Sequence, residues 1–104
     1  MNIAISGANG FIGKNLTLAL SKNENLNLVY ISRTKSNKNS NEYSFDNFFN
    51  GEINIKFDFF IHLASPNYDY CKDNSIKEGI ENLTKNILLS LNQYDCKNFI
   101  FFSS

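Results

Sequence analysis

Gly7-Ala8-Asn9-Gly10-Phe11-Ile12-Gly13 is the segment whose residue types and spacing point most directly to chemistry. It follows a short apolar run, Ile3-Ala4-Ile5-Ser6, and opens a helical pattern that continues from Lys14 to Ser21. A glycine-rich turn between a strand and a helix can hold a pyrophosphate. The first N–H groups of a helix have no partner within it, and the helix dipole favours negative charge at that end. Gly7 is expected to permit the tight turn. Gly10 should let the backbone approach the phosphates, and Gly13 should let the helix lie close on the sheet. The spacing is G-x-x-G-x-x-G, one residue longer in its first gap than the G-x-G-x-x-G dinucleotide fingerprint. The glycines alone are also compatible with a plain turn, the lesser of the two readings. A strand before them and a helix after them favour the phosphate-binding reading.

Other reactive side chains are few. Cys71 and Cys96 stand apart, with no C-x-x-C and no histidine beside them in sequence. Two reduced cysteines are expected, and no metal or redox centre. His62, the one histidine, ends an apolar strand and reads as a packed or hydrogen-bonded residue rather than a catalyst. Tyr68 and Lys72 have Y-x-x-x-K spacing, but they lie between a strand and its helix, and this spacing is read as coincidence.

The elements that must position the glycine turn follow from apolar periodicity. The pattern predicts strands over Asn2–Ser6 and Leu26–Ser32, a short one over Tyr43–Phe45, then Phe57–Ala64 and Asn98–Phe102. It predicts a helix over Phe11–Ser21 whose Ile12, Leu16, Ala19 and Leu20 face one side. Asp46 to Asn50 reads as a helical turn. A second helix is predicted over Asp73–Tyr94, capped by Asp73 or Asn74, with a buried stripe of Ile76, Ile80, Leu83, Ile87, Leu88 and Leu91. Arg33 to Glu42 is too polar to build a core and reads as a loop. Strands alternating with helices predict an α/β doubly wound parallel sheet in the order 3-2-1-4-5. A ligand should bind where that order reverses, at the carboxyl ends of strands one and four. The glycine turn, Leu63-Ala64-Ser65 and Ser103-Ser104 all fall on that edge.

Bulk composition agrees with one globular domain. The chain has 104 residues, 42% of them apolar, and no net formal charge, which gives no basic excess for nucleic acid or an anionic membrane. No apolar run approaches the roughly 20 residues needed to cross a bilayer. The N-terminus lacks a signal-like pattern, and a cytoplasmic location is expected.

In four segments, taken in order, the chain resembles the extended short-chain dehydrogenase/reductase family of NAD(P)-dependent epimerases, dehydratases and reductases. Gly7 to Gly13 is similar to the family's cofactor turn. Asp58-Phe59-Phe60-Ile61-His62-Leu63-Ala64 resembles its D-x-x-x-H-x-A strand, and Thr84-Lys85-Asn86-Ile87-Leu88 the T-x-N-x-L part of the next helix. Lys97 to Ser104 resembles the fifth strand with its serine end. The resemblance implies a Rossmann-type NAD(P)-binding domain over residues 1–104. Gly7, Gly10, Phe11, Ile12 and Gly13 would lie at the pyrophosphate, and Leu63, Ala64 and Ser65 would line the crevice. Asp46 resembles a family Asp near the adenine. Ser104 falls on the catalytic Ser/Thr position, whose hydroxyl bonds the substrate oxygen. The family's Tyr-x-x-x-Lys acid/base pair comes later in its sequences and does not follow Ser104 here, nor do the last strands and the substrate domain. The family's usual Asn on the helix falls on Ile80, and Asn82 lies two positions away, so that role is not carried over.

At the end of the second strand, where an acidic side chain would bond the ribose 2′-hydroxyl of NAD, the chain has Ser32, followed by Arg33 and Lys35. No carboxylate repels a 2′-phosphate there, and Arg33 can pair with one, which favours NADP over NAD. The expected function is the N-terminal cofactor-binding portion of a nucleotide-sugar epimerase, dehydratase or reductase. The alternatives are a non-catalytic NAD(P)-binding module and an inactive truncated fragment. A homodimer is compatible with the resemblance, since the helix over Asp73–Tyr94 corresponds to the first of two the family uses in its dimer. Phe99-Ile100-Phe101-Phe102 would leave an apolar sheet edge, and the isolated chain is expected to self-associate or to be marginally stable.

Overall fold

The computed structural model describes residues 1–8, 11–32, 41–64 and 74–103, some of the helix and strand residues by backbone alone. Five strands form one parallel sheet: β1 (Asn2–Ser6), β2 (Asn27–Ser32), β3 (Glu42–Ser44), β4 (Phe59–Ala64) and β5 (Phe99–Ser103). Their order is β3-β2-β1-β4-β5, as the alternation of elements predicts. The helices are α1 (Phe11–Ser21), the single-turn α2 (Phe45–Phe49) and α3 (Asn74–Ser90). Among the described residues, no helix is long and apolar enough to cross a membrane.

Period-2 alternation sends successive strand residues to opposite faces. Ile3, Ile5, Leu28, Ile61 and Leu63 form one core with Leu16 and Leu20 of α1. Ala4, Val29, Ile31 and Phe60 face the other way, against Phe48 of α2 and Ile87 of α3. With both faces covered, the central strands read as nearly continuous apolar runs. The second core is aromatic. The fully buried Phe48 ring stacks on Tyr94 with centroids 4.9 Å apart, and it lies 5.1 Å from Phe60 and 6.4 Å from Phe57. The Tyr94 hydroxyl donates to the Phe48 carbonyl at 2.6 Å, so the ring buries its polar end with a partner.

The element boundaries differ from the sequence pattern for local reasons. The short third strand ends at Ser44 rather than Phe45, because the Ser44 hydroxyl accepts from the Asn47 N–H at 3.1 Å and starts α2 there. Strand β4 starts at Phe59. Asp58 ahead of it is used at the amino edge, where its Oδ2 accepts from the Asn2 N–H at 2.7 Å and its carbonyl accepts from the Asn98 side chain. The second helix leaves α geometry after Ser90, tightens into a 3-10 turn over Leu91–Tyr94, and ends on Asp95 at φ 53°. Two stripe assignments are corrected. Ile12 and Ala19 of α1 are exposed, and so is Leu88 of α3, because each helix covers the sheet with a narrower face than its apolar residues span. The proposed caps of α3 divide: Asp73 lies outside the described residues, and Asn74 is the first helical residue.

Strand β5 is an edge of the described sheet, and Ile100, Phe101 and Phe102 are 39%, 45% and 46% exposed. The isolated chain is expected to self-associate through this edge, and Phe102→Lys to reduce the association. Sedimentation velocity reads this directly. A monodisperse wild-type monomer with one cooperative melt would contradict it.

Candidate functional site

In a parallel sheet all carboxyl ends lie on one edge. Here that edge brings together Ser6 and Gly7 after β1, Ser32 at the end of β2, Ser44 at the end of β3, and His62 to Ala64 at the end of β4. The order reverses between β1 and β4, and the glycine turn leaves β1 at that point. The switch crevice and the glycine turn therefore coincide.

Gly7 has φ +79°, in the left-handed region that side chains disfavour. A Cβ added there would fall onto the Leu63 carbonyl oxygen of β4. The position thus requires glycine twice, for its backbone angle and for the closeness of the next strand. Gly13 is buried in the first turns of α1, and a Cβ there would come within 2.6 Å of the Ala8 backbone. The expected close approach is real, but it is to the turn rather than to the sheet: the helix folds back onto the loop that starts it. Both glycines let backbone pack against backbone where the turn leaves β1 and where α1 begins, a compact strand-to-helix turn of the kind that presents N–H groups to an anion.

The remaining sequence candidates are distributed as follows. Ser32 is half-buried and sits in register with Ser44. Asp46 is exposed in the first turn of α2, two residues past Ser44, so the capping box that starts α2 also places this carboxylate near the end of β2. Ile12 is exposed on the first turn of α1. Leu63 is buried against the α1 face. Phe11 and Ala64 are placed by backbone alone, in α1 and at the end of β4. Asn82 is exposed on α3. Gly10, Arg33, Lys35, Ser65, Tyr68, Cys71, Lys72 and Ser104 lie outside the described residues.

Sequence reasoning did not find the partner of His62. The ring is buried, 3% exposed, and its Nδ1 lies 2.5 Å from the Oγ of the fully buried Ser6. Phe99 and Phe101 of β5 flank it, at centroid distances of 6.5 and 5.6 Å. Nε2 is buried with no hydrogen-bond partner among the described residues. Burial lowers the His62 pKa from its ordinary 6.5. A lowered folded-state value means that the unfolded chain takes up the proton first as pH falls. The contribution to stability is complete above pH 6.5 and is lost progressively below it. Chemical denaturation across pH is expected to show this acid-side decline, and His62→Asn to flatten it. The described groups around the ring, Ser6, Phe99 and Phe101, carry no charge that would offset the effect.

On the amino edge of β4 and β5, a shallow groove is lined by Gly51, Asn54, Lys56 and Asp95. The exposed Lys56–Asp95 ion pair, 3.3 Å long, crosses it and contributes little to stability. It is at the opposite end of the strands from the switch crevice.

A doubly wound parallel sheet with a glycine turn at its switch point defines a Rossmann-like fold. The NAD dependent epimerase/dehydratase family matches residues 3–104, and the chain belongs to that family. Its members use a nicotinamide cofactor. Among solved structures, the chain is similar to UDP-N-acetylglucosamine 4-epimerase from Bacillus cereus, with a TM-score of 0.76 and 21% identity over 97% of this chain and 36% of that one. It is similar to ADP-L-glycero-D-manno-heptose-6-epimerase from Helicobacter pylori, with a TM-score of 0.70 and 18% identity over 96% and 38%. L-threonine 3-dehydrogenase from Trypanosoma brucei gives a TM-score of 0.68 and 18% identity over 94% and 35%. At these identities the likeness establishes the fold. The chain spans little more than a third of each of these structures. A comparison with curated proteins gave no match.

Proposed function

We propose that this chain is the N-terminal cofactor-binding portion of an NAD(P)-dependent enzyme that moves a hydride at a carbon of a nucleotide sugar, as an epimerase, dehydratase or reductase. The observation that carries the reading is Gly7, held at positive φ against the Leu63 carbonyl where the strand order reverses. Membership of the epimerase/dehydratase family supports it, as do two similar structures named as epimerases of UDP- and ADP-linked compounds. The threonine dehydrogenase has the same fold, so the substrate is chosen outside these strands.

Backbone groups of Gly7, Gly10, Phe11, Ile12 and Gly13 would hold the pyrophosphate. Ser32 and Arg33 would meet the adenosine ribose, with Asp46 near the adenine. Leu63, Ala64 and Ser65 would line the crevice towards the nicotinamide. When bound, the nicotinamide takes up or returns the hydride. Ser104 would hydrogen-bond the substrate oxygen at the reacting carbon.

NADP(H) is preferred in this reading, because Ser32 leaves no carboxylate against a 2′-phosphate and Arg33 can pair with it. Fluorescence titration is expected to show tighter binding of NADPH than of NADH, and Arg33→Ala to cut that preference by about tenfold. Equal or tighter NADH binding by the wild type would refute the preference. Sequencing the gene past codon 104 tests the catalytic half: a continuing frame with Tyr-x-x-x-Lys supports it, and a stop codon removes it.

A further inference from the structure

The parallel ladder between β1 and β4 ends at the Ser6–His62 pair. Beyond it, among the described residues, no strand pairing holds the start of the glycine turn to β4. Two contacts continue the association, one between side chains and one between backbones. Ser6 Oγ and His62 Nδ1 lie 2.5 Å apart, both residues buried, and one residue further the Leu63 carbonyl lies against Gly7. Two consecutive residues of β4 thus grip two consecutive residues of the strand-to-turn junction.

A polar pair is an uneconomical way to fill this space. Ser6 follows Ala4 on the face that carries Val29, Ile31 and Phe60, and His62 follows Phe60, so apolar side chains would suit both positions. Replacing both partners of a buried hydrogen bond by apolar groups is commonly near neutral for stability. His62 also leaves Nε2 buried without a partner among the described residues, which opposes folding. What a short hydrogen bond supplies that apolar packing does not is direction: it fixes Ser6 Oγ, and through one peptide bond the entry of Gly7 into the turn.

We infer that Ser6 and His62 are a positioning pair, which braces the first residue of the glycine turn so that its N–H groups are held ready for the pyrophosphate. The inference rests on the cofactor-site reading, since the brace has a use only if the turn binds phosphate. Both residues are buried, and the ring is flanked by Phe99 and Phe101. Its role is to preorganise the cradle.

The test uses Ser6→Ala, Ser6→Thr and the double variant Ser6→Ala/His62→Leu in the 104-residue chain. Backbone 15N relaxation reports order at Gly7 and Ala8, with Ala4 in the same strand as the internal reference. Titration with NADPH reports affinity. In Ser6→Ala and in the double variant, order parameters at Gly7 and Ala8 are expected to fall from about 0.85 to below about 0.6, with Ala4 unchanged. NADPH affinity should weaken by about tenfold. Ser6→Thr keeps the hydroxyl and should restore both. The double variant leaves no orphaned polar atom and serves if Ser6→Ala does not fold. Gly7 and Ala8 staying rigid without the hydroxyl, or threonine failing to restore them, overturns the brace. Failure of both alanine variants to fold also overturns it, because the pair would then support the whole core. A wild type that binds neither NADPH nor NADH defeats the cofactor reading, while the relaxation data still decide the brace.

Discussion

Gly7→Ala is expected to destabilise the fold by about 3 kcal/mol or more and to abolish measurable dinucleotide binding. Two costs combine. A side chain at φ +79° is strained by about 1–3 kcal/mol. The new methyl group would also collide with the Leu63 carbonyl, a backbone atom of the neighbouring strand that cannot move without disturbing β4. Gly51 is the control. Its φ is +70°, but a Cβ there would meet only the tip of the Gln93 side chain, at 2.7 Å, and Gln93 can swing away. Gly51→Ala should therefore carry the backbone cost of about 1–3 kcal/mol and little more, since Gln93 gives up only a long, exposed hydrogen bond to the Phe49 carbonyl. Urea unfolding of the two variants side by side separates the terms. Equal losses would show that the close approach of β4 to the turn is not a constraint. Because Gly7 is where the turn begins, its variant should lose binding well beyond what the loss of folded protein explains.

The second large effect is expected at Phe48. The ring is fully buried and contacts Phe49, Phe57, Phe60 and Tyr94. Phe48→Ala should cost about 3–5 kcal/mol, the range for deleting a buried aromatic ring with incomplete collapse of the cavity. A domain of this size has a total stability of about 5–15 kcal/mol, so the variant should be largely unfolded at physiological temperature. Phe48→Leu fills much of the cavity and should retain the fold with a lowered melting temperature. Thermal denaturation by circular dichroism measures both. A Phe48→Ala protein that melts like the wild type would mean that α2 is not part of the core.

The aromatic cluster also explains how a crossover as short as α2 is held. An isolated five-residue helix does not persist in water. Here the Ser44 capping box starts it, the Phe48 side chain anchors it in the core, and the Tyr94 hydroxyl bonds its carbonyl. The sequence shows a serine followed by an Asp-Asn pair and three phenylalanines within five residues. It does not show that one phenylalanine goes inward to stack on a tyrosine 46 residues away.

What the sequence by itself determined is the set of features that depend on near neighbours. The five strands and their alternation with helices are written in apolar periodicity. The glycine turn is written in Gly7, Gly10 and Gly13, and the sheet order follows from the rules of parallel crossovers. His62 was legible as a buried residue because it ends an apolar run. Helix faces were less legible. Ile12, Ala19 and Leu88 fit the helical period, yet they are exposed, since the period says which residues share a stripe and not how wide a stripe the sheet can cover. Tertiary structure alone decided the contacts that exist only once β1 and β4 are paired. Ser6 meets His62 across 56 residues of chain, Gly7 meets the Leu63 carbonyl, and Asp58 ties the amino end of β1. The physical reason is register. Local sequence chooses each strand, but which atoms oppose each other across the sheet is set by the simultaneous burial of both faces, and no single segment encodes that.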